Sequence, residues 1–275
     1  MSNRRPADGG GGSEAVKADW DAARYDRVSD PQFEWGRRVV ARLDPQPGER
    51  VLDLGCGTGR VTAEIATAVR GGLVVGFDRS SAMLAVARRT ANASTASTWW
   101  VRGDGVRLPF ASKFDAVFTT ATLHWIADHA AVFAGIFDAL RPGGRLVGQC
   151  GGGANLDRLY RRAAALMRTE PFAPWFSAWR NPWHFALPEP THALLHRSGF
   201  VDVHASLESA PVTFDDGDAY AEFISCVCVR HHLERMPLEL QAAFASALTE
   251  AASKDTPPYT LDYWRLNIDA RRPSA

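Results

Sequence analysis

Asp78 closes the apolar run Val74-Val75-Gly76-Phe77-Asp78, and upstream of it Val51-Leu52-Asp53-Leu54 breaks into Gly55-Cys56-Gly57-Thr58-Gly59. A buried strand that ends in glycines at every second position feeds a tight turn and then a helix. Such glycines let the backbone approach a ligand and expose the amides at the helix start. An acid at the end of the next strand can accept both hydroxyls of a ribose. The glycine spacing separates cofactor classes. A dinucleotide fingerprint needs a third glycine where Arg60 stands, and a phosphate-binding P-loop needs a Gly-Lys-Ser/Thr that is absent here. What remains is a cofactor that carries an adenosine without a pyrophosphate.

The elements that must hold these residues follow from the apolar periodicity. Strands are expected at Arg50–Leu54, Leu73–Asp78, Thr98–Gly103, Phe114–Thr120, Gly144–Cys150, Phe200–Glu208 and around Leu261–Ala270. Helices are expected at Glu14–Tyr25, Pro31–Leu43, Gly59–Arg70, Ser81–Ala91, His129–Leu140, Asn155–Met167, Pro190–Ser198, Asp216–Val229 and Pro237–Ser253. Arg141-Pro142-Gly143-Gly144 reads as a helix stop and tight turn. Strand and helix alternate, which predicts an α/β fold: a Rossmann-like, doubly wound, mostly parallel seven-stranded sheet. Residues 45–150 and 199–272 form its core, 14–44 form N-terminal cap helices, and 1–13 form a disordered tail. Insertions at 151–198 and 215–256 are expected to form a helical, aromatic lid beyond the strand ends, where ligands bind in open α/β sheets.

Composition limits the partners. Lys+Arg and Asp+Glu balance at 31 each, so no basic field favours nucleic acid or an anionic membrane, and a small molecule is expected instead. No run approaches membrane-spanning length and no signal peptide is read, which points to the cytoplasm. Cys56, Cys150, Cys226 and Cys228 suit buried, reduced thiols, and no carboxylate cluster has metal-ligand spacing. The oligomeric state is not legible.

Val51–Thr62 resembles motif I of the class I S-adenosylmethionine-dependent methyltransferases, and the likeness extends over roughly Trp20–Gly151 and, more loosely, from Phe200 onward. The resemblance implies S-adenosylmethionine as cofactor. It implies that Asp53 reaches the methionine amino group and that Gly55, Cys56 and Gly57 line the cofactor. Asp78, followed by Arg79, would take the ribose. Met83, in Ser80-Ser81-Ala82-Met83, would pack on the adenine, although plain helix core gives the same pattern. Asp104 and Gly105 would meet the adenine amine. Thr119-Thr120-Ala121-Thr122-Leu123-His124-Trp125 resembles the segment of small-acid methyltransferases, of the trans-aconitate and juvenile-hormone-acid types, that ends in His-Trp near the substrate. Those relatives often carry Ser-Asn where Thr119-Thr120 stands, and Thr120 is assigned to the cofactor. Trp20 and Tyr25 match the first helix of these enzymes, which folds over the cofactor, and both also read as amphipathic packing.

The expected reaction is O-methylation of a carboxylic acid. A C-, N- or hydroxyl-directed methyltransferase of a hydrophobic natural product is the alternative, and a non-catalytic cofactor-binding protein is the remote one. Tyr25 and Trp125 could face the sulfonium. His124 or His184 could serve as a base for an acceptor that must lose a proton. Trp175, Phe176, Trp179, Trp183 and Phe185 make an aromatic loop, of which Trp179 and Trp183, with His184, are expected at the substrate. Arg158, Arg161, Arg162 and Arg168 read as a carboxylate clamp or as a solvated face.

Overall fold

The computed structural model describes residues 21–90 and 97–274. In chain order the strands are β1 (Arg50–Leu54), β2 (Leu73–Asp78), β3 (Ser97–Arg102), β4 (Phe114–Thr120), β5 (Leu140–Gly151), β6 (Val201–Ser209), β7 (Val212–Thr213), β8 (Thr260–Leu261) and β9 (Trp264–Arg271). The helices are α1 (Ala22–Val28), α2 (Asp30–Leu43), α3 (Arg60–Ala68), α4 (Ser81–Thr90), α5 (His129–Ala139), α6 (Asp157–Leu166), α7 (Pro188–Arg197), α8 (Gly217–Phe223), α9 (Arg230–Leu233) and α10 (Leu238–Ser253). Seven strands form one sheet in the order β3-β2-β1-β4-β5-β9-β6. β1 to β5 pair in parallel, and β9 runs antiparallel to both β5 and β6. β7 and β8 form a separate small pair.

Alternation along β1 sends Leu52 and Leu54 into one core, with Phe133, Ile136 and Leu195 of α5 and α7. Val51 faces the opposite core, with Val39, Leu43 and Ile65 of α2 and α3. Both faces of the sheet are therefore covered, as a parallel sheet requires. A third apolar cluster lies outside this sandwich. It joins Trp35 of α2 to Leu159 of α6, Tyr220 and Phe223 of α8, Phe244 and Leu248 of α10, and Tyr263. Asp21, Asp128 and Asp216 cap α1, α5 and α8 by accepting the backbone N–H of Arg24, Ala131 and Ala219. Each such cap contributes about 1 kcal/mol.

Several expectations are corrected. Of the helix expected over Glu14–Tyr25, residues 14–20 lie outside the described residues, as does the N-terminal tail, and α1 runs on to Val28. β5 starts at Leu140 rather than Gly144. Leu140 pairs with Phe114 and Arg145 with Ala116, so Arg141-Pro142-Gly143-Gly144 bulges out of a continuing strand. The Asp115 carboxylate holds that bulge by accepting from Arg141, and it also accepts the N–H of Arg50. The helix expected over Asp216–Val229 changes at Ile224–Cys228 into a π-helical turn. The final strand divides into β8 and β9. No described helix is long and apolar enough to cross a membrane.

Candidate active site

The motif loop between β1 and α3 is bound to its neighbours by its own backbone. The N–H groups of Gly55 and Cys56 both donate to the Phe77 carbonyl, at 2.7 and 3.2 Å, and Gly57 N–H donates to Asp78 Oδ2 at 2.9 Å. The Cys56 amide thus has a partner inside the fold. Its thiol is buried and pushed well above its ordinary range by that burial. Asp78 also accepts the N–H of Ser80 through Oδ1, which fixes its carboxylate at the tip of β2 beside the loop. Arg79 next to it is exposed, and its carbonyl accepts from Arg102.

Asp53 lies beneath the loop, 1 % exposed, and accepts from the Thr62 hydroxyl at 2.6 Å. No cation of the described chain forms an ion pair with it. Burial raises its pKa to about 7, against the Thr62 hydrogen bond, which lowers it. Thr120, at the end of β4, has a buried hydroxyl oxygen with no hydrogen-bond partner. A Cβ built on Gly57 would meet nothing within 4 Å, so open space lies above the loop. A buried carboxylate lacking a cation, an unanswered hydroxyl and an open glycine cradle fit S-adenosylmethionine, which carries an ammonium and a ribose.

The other expected cofactor residues stand on α4 and after β3. Met83 is buried with Ala22 of α1 and Val86, and Tyr25 packs against the same cluster. Asp104 is exposed after β3, and its Oδ1 accepts from Val106 N–H, so it has a turn-closing use that its sequence setting did not announce. Gly105 packs toward Ile126 and Leu54. The cap helices are tied to the loop directly. The Thr58 hydroxyl donates to Asp26 at 2.7 Å, and Arg60 reaches the Asp26 carbonyl and the Asp30 carboxylate.

Next to this space is a narrow cleft. Tyr25, Gln32, His124, Trp125, Trp183 and Arg265 are among the residues that line it. His124 Nδ1 accepts the Gly151 N–H at 3.3 Å, which leaves its proton on Nε2. Burial, then the Arg265 guanidinium, push the His124 pKa down to about 3. Burial raises Tyr25 to about 12, so its phenol keeps its proton. At neutral pH His124 is an uncharged, weakly basic imidazole with Nδ1 engaged, and Tyr25 is an uncharged phenol. Trp125 lines the cleft with its ring edge-on to His231, 5.4 Å away. Trp183 stacks on Tyr160 at 4.2 Å.

Two expected residues are not among those that line the cleft. Trp179 stacks on His232 at 4.4 Å. His184 is exposed, with its ring against His129. Trp20 lies outside the described residues. The arginines of α6 that were read as a possible clamp are engaged within the chain. Arg158 is near Asp255 and Asp262, Arg162 pairs with Asp255, and Arg161 pairs with Asp157.

The cation at the cleft is instead Arg265 of β9, which the sequence reading missed. It is 2 % exposed, with its guanidinium over the Trp35 ring at 4.5 Å. Its Nε donates to Gln149 Oε1 at 3.3 Å, and its Nη2 is buried with no partner. No acid of the described residues forms an ion pair with it. Burial lowers its pKa from the ordinary arginine value.

Asp53 also makes a measurable contribution to folding. Below pH 3.8 its carboxyl is protonated both folded and unfolded, and stability is at its full value. As the pH rises to about 7 the unfolded chain ionises first, so stability is progressively lost. Asp53→Asn removes that loss. The variant should be more stable than the parent at pH 8 by about 2–4 kcal/mol and nearly equal at pH 3.5. Urea titrations at the two pH values check this, and an equal difference at both would rule out the buried, raised carboxyl.

Comparison with known proteins agrees with this geometry. Residues 51–144 match a family model described as a methyltransferase domain. A trans-aconitate 2-methyltransferase of Methylobacterium radiotolerans is 29% identical over 280 residues, covering 94% of this chain and 100% of that one. Another, of Variovorax paradoxus, is 30% identical over 238 residues, covering 82% and 86%. Among solved structures, the Haemonchus contortus phosphoethanolamine N-methyltransferase 2 in complex with S-adenosyl-L-methionine aligns with a TM-score of 0.58 at 20% identity, covering 92% of this chain and 57% of that one. At that identity the likeness shows the fold alone. The match to curated relatives along most of the chain, together with the methyltransferase-domain model and the parallel-sheet fold, makes this chain a member of the class I S-adenosylmethionine-dependent methyltransferases.

Proposed function

We propose that the protein transfers a methyl group to the carboxylate of a small organic acid, with Arg265 holding that carboxylate in the cleft. The observation that carries this reading is the buried Arg265, a residue of the cleft lining whose Nη2 has no hydrogen-bond partner and which forms no ion pair with an acid among the described residues. Leaving a buried cation and a buried donor without partners is costly, and an incoming carboxylate answers both. The fork of a guanidinium matches a carboxylate in shape as well as charge. The trans-aconitate 2-methyltransferases named above support the same acceptor class.

S-adenosylmethionine supplies a methyl group bonded to a positively charged sulfur. In this reading Asp53 takes the amino group, Gly55 and Gly57 shape the loop, and Asp78 takes the ribose with Arg79 at the rim. Met83 lies under the adenine, Asp104 and Gly105 meet its amine, and Thr120 answers with its hydroxyl. A carboxylate is already ionised at neutral pH, so attack on the methyl group needs no base and releases no proton. The products are a methyl ester and the neutral thioether. His124, with Nδ1 engaged and its pKa near 3, serves as a donor through Nε2 rather than as a base. A phenol or carbon acceptor would require a base, and His124, weakly basic with Nδ1 engaged, and Tyr25, a neutral phenol, are poor ones. Positioning and exclusion of water are then the chain's main contributions. Residues 151–198 and 215–256 act as the cover over the substrate, with 14–44 as the cap over the cofactor. The four buried, unpaired cysteines agree with a cytoplasmic enzyme.

Calorimetry on the complex with S-adenosylhomocysteine tests the acceptor class. An acid such as cinnamate should bind about ten- to a hundredfold more tightly than its carboxamide, because only the acid answers the Arg265 charge. Equal binding of acid and amide would overturn the reading.

A further inference from the structure

Arg265 is the one charged side chain among the described residues that line the cleft. On adjoining elements Arg60 pairs with Asp30, Arg158 and Arg162 with Asp255, and Arg230 with Glu234. The remaining polar lining groups are neutral. Tyr160 donates its hydroxyl to the Cys228 carbonyl, Tyr263 is within hydrogen-bond distance of the Cys228 thiol, and Asn155 holds Trp264 N–H. The histidine in the lining resists a second positive charge, since burial and Arg265 hold His124 neutral. A second or third substrate carboxylate would therefore enter the cleft without a counter-ion.

The lining also carries three neighbouring aromatic rings. Tyr160, Trp183 and Phe185 line the cleft with their ring planes almost aligned. Tyr160 and Trp183 stand 4.2 Å apart at 20°, Tyr160 and Phe185 6.0 Å apart at 26°, and Trp183 and Phe185 6.0 Å apart at 23°. At these separations the rings stack on one another, and together they make one wall of the lining aromatic and apolar. An aromatic wall favours a planar π-body over a branched, hydrated chain.

Resting on the carboxylate reading above, we infer that the natural acceptor is a monocarboxylic acid with a flat, conjugated or aromatic body. The carboxylate meets Arg265 and the body lies along the Tyr160–Trp183–Phe185 wall. The cleft would then be tuned away from tricarboxylates such as trans-aconitate, despite the curated relatives that carry that substrate in their names.

Initial rates with methyl-labelled S-adenosylmethionine test this on the full chain, with cinnamate, trans-aconitate and cinnamyl alcohol as acceptors. Cinnamate should exceed trans-aconitate in kcat/KM by about a hundredfold, the scale on which an unpaired buried charge is rejected. Equal or faster methylation of trans-aconitate would overturn the inference and leave the carboxylate reading standing. Methylation of cinnamyl alcohol alone would overturn both. If none of the three turns over, their affinities for the S-adenosylhomocysteine complex decide. Tighter cinnamate binding supports the inference, and tighter trans-aconitate binding, or binding of neither acid, overturns it.

Discussion

Arg265→Met is expected to lower kcat/KM for a carboxylic acid by about a hundred- to a thousandfold, the range for truncating one partner of a buried, hydrogen-bonded charge pair. The same change should leave folding intact or improve it. Arg265 is buried with Nη2 unanswered and no acid to offset its charge. Replacing such a cation by an apolar side chain of similar length is neutral or stabilising in proteins where it has been weighed. Methionine keeps the packing on Trp35 that the guanidinium now provides. Loss of activity with an unchanged melting temperature and unchanged S-adenosylmethionine affinity is a result that a merely structural arginine would not give. Arg265→Lys keeps a charge but not the fork, so it should fall between the two, and retention of full activity by the methionine variant would remove Arg265 from the site.

The second large effect concerns two glycines that lie two residues apart and fail for different reasons. Gly55 has φ +79°, and a Cβ there would lie 1.9 Å from the Thr122 hydroxyl oxygen. Gly55→Ala combines a left-handed backbone penalty with overpacking, which together cost about 2–5 kcal/mol of stability. Gly57 has φ +54°, but its Cβ would enter empty space. Gly57→Ala should lose only about 1–2 kcal/mol of stability, the backbone cost alone. Its methyl group, however, projects into the space that the cofactor would fill. Affinity for S-adenosylmethionine should fall about tenfold or more, as expected when a close backbone approach is blocked. Urea denaturation and calorimetric titration on both variants separate the cases. Wild-type affinity in Gly57→Ala would mean that the cofactor does not cross this loop.

Features written in one short stretch of chain were legible from sequence. The β1 run, its glycines and Asp78 lie within one strand–helix–strand unit, and the parallel pairing of β1 with β2 is enough to bring Asp78 to Gly57. The helices expected over Pro31–Leu43 and Gly59–Arg70 likewise form as α2 and α3, and their Val39, Leu43 and Ile65 lie in the core. Arg265 was not legible because its setting depends on elements far apart in the chain. In β9 the residues Leu266, Ile268 and Ala270 face the main core, which puts Arg265, Asn267 and Asp269 on the other side. That side looks solvated in sequence. Trp35 and Arg42 of α2 cover it, with Arg42 donating to Asn267 and Asp269 and the Trp35 ring beneath Arg265. A row of three polar residues alternating with core residues was the available signal. Trp179 and His184 were misplaced for the converse reason. Aromatic density marked the loop as important, but neighbours such as His232 and His129 decide which rings turn inward. The π-helical turn at Ile224–Cys228 left no mark in the apolar pattern and still brings Val227 and Cys228 to the cleft.

Chemical identity of the product tests the central claim most directly. The wild-type chain, incubated with methyl-labelled S-adenosylmethionine and cinnamate, should release a labelled product that mild alkali hydrolyses back to cinnamate and methanol. The Arg265→Met variant should form almost none of it. Label held in an alkali-stable bond, or ester formed equally by both proteins, would contradict the account.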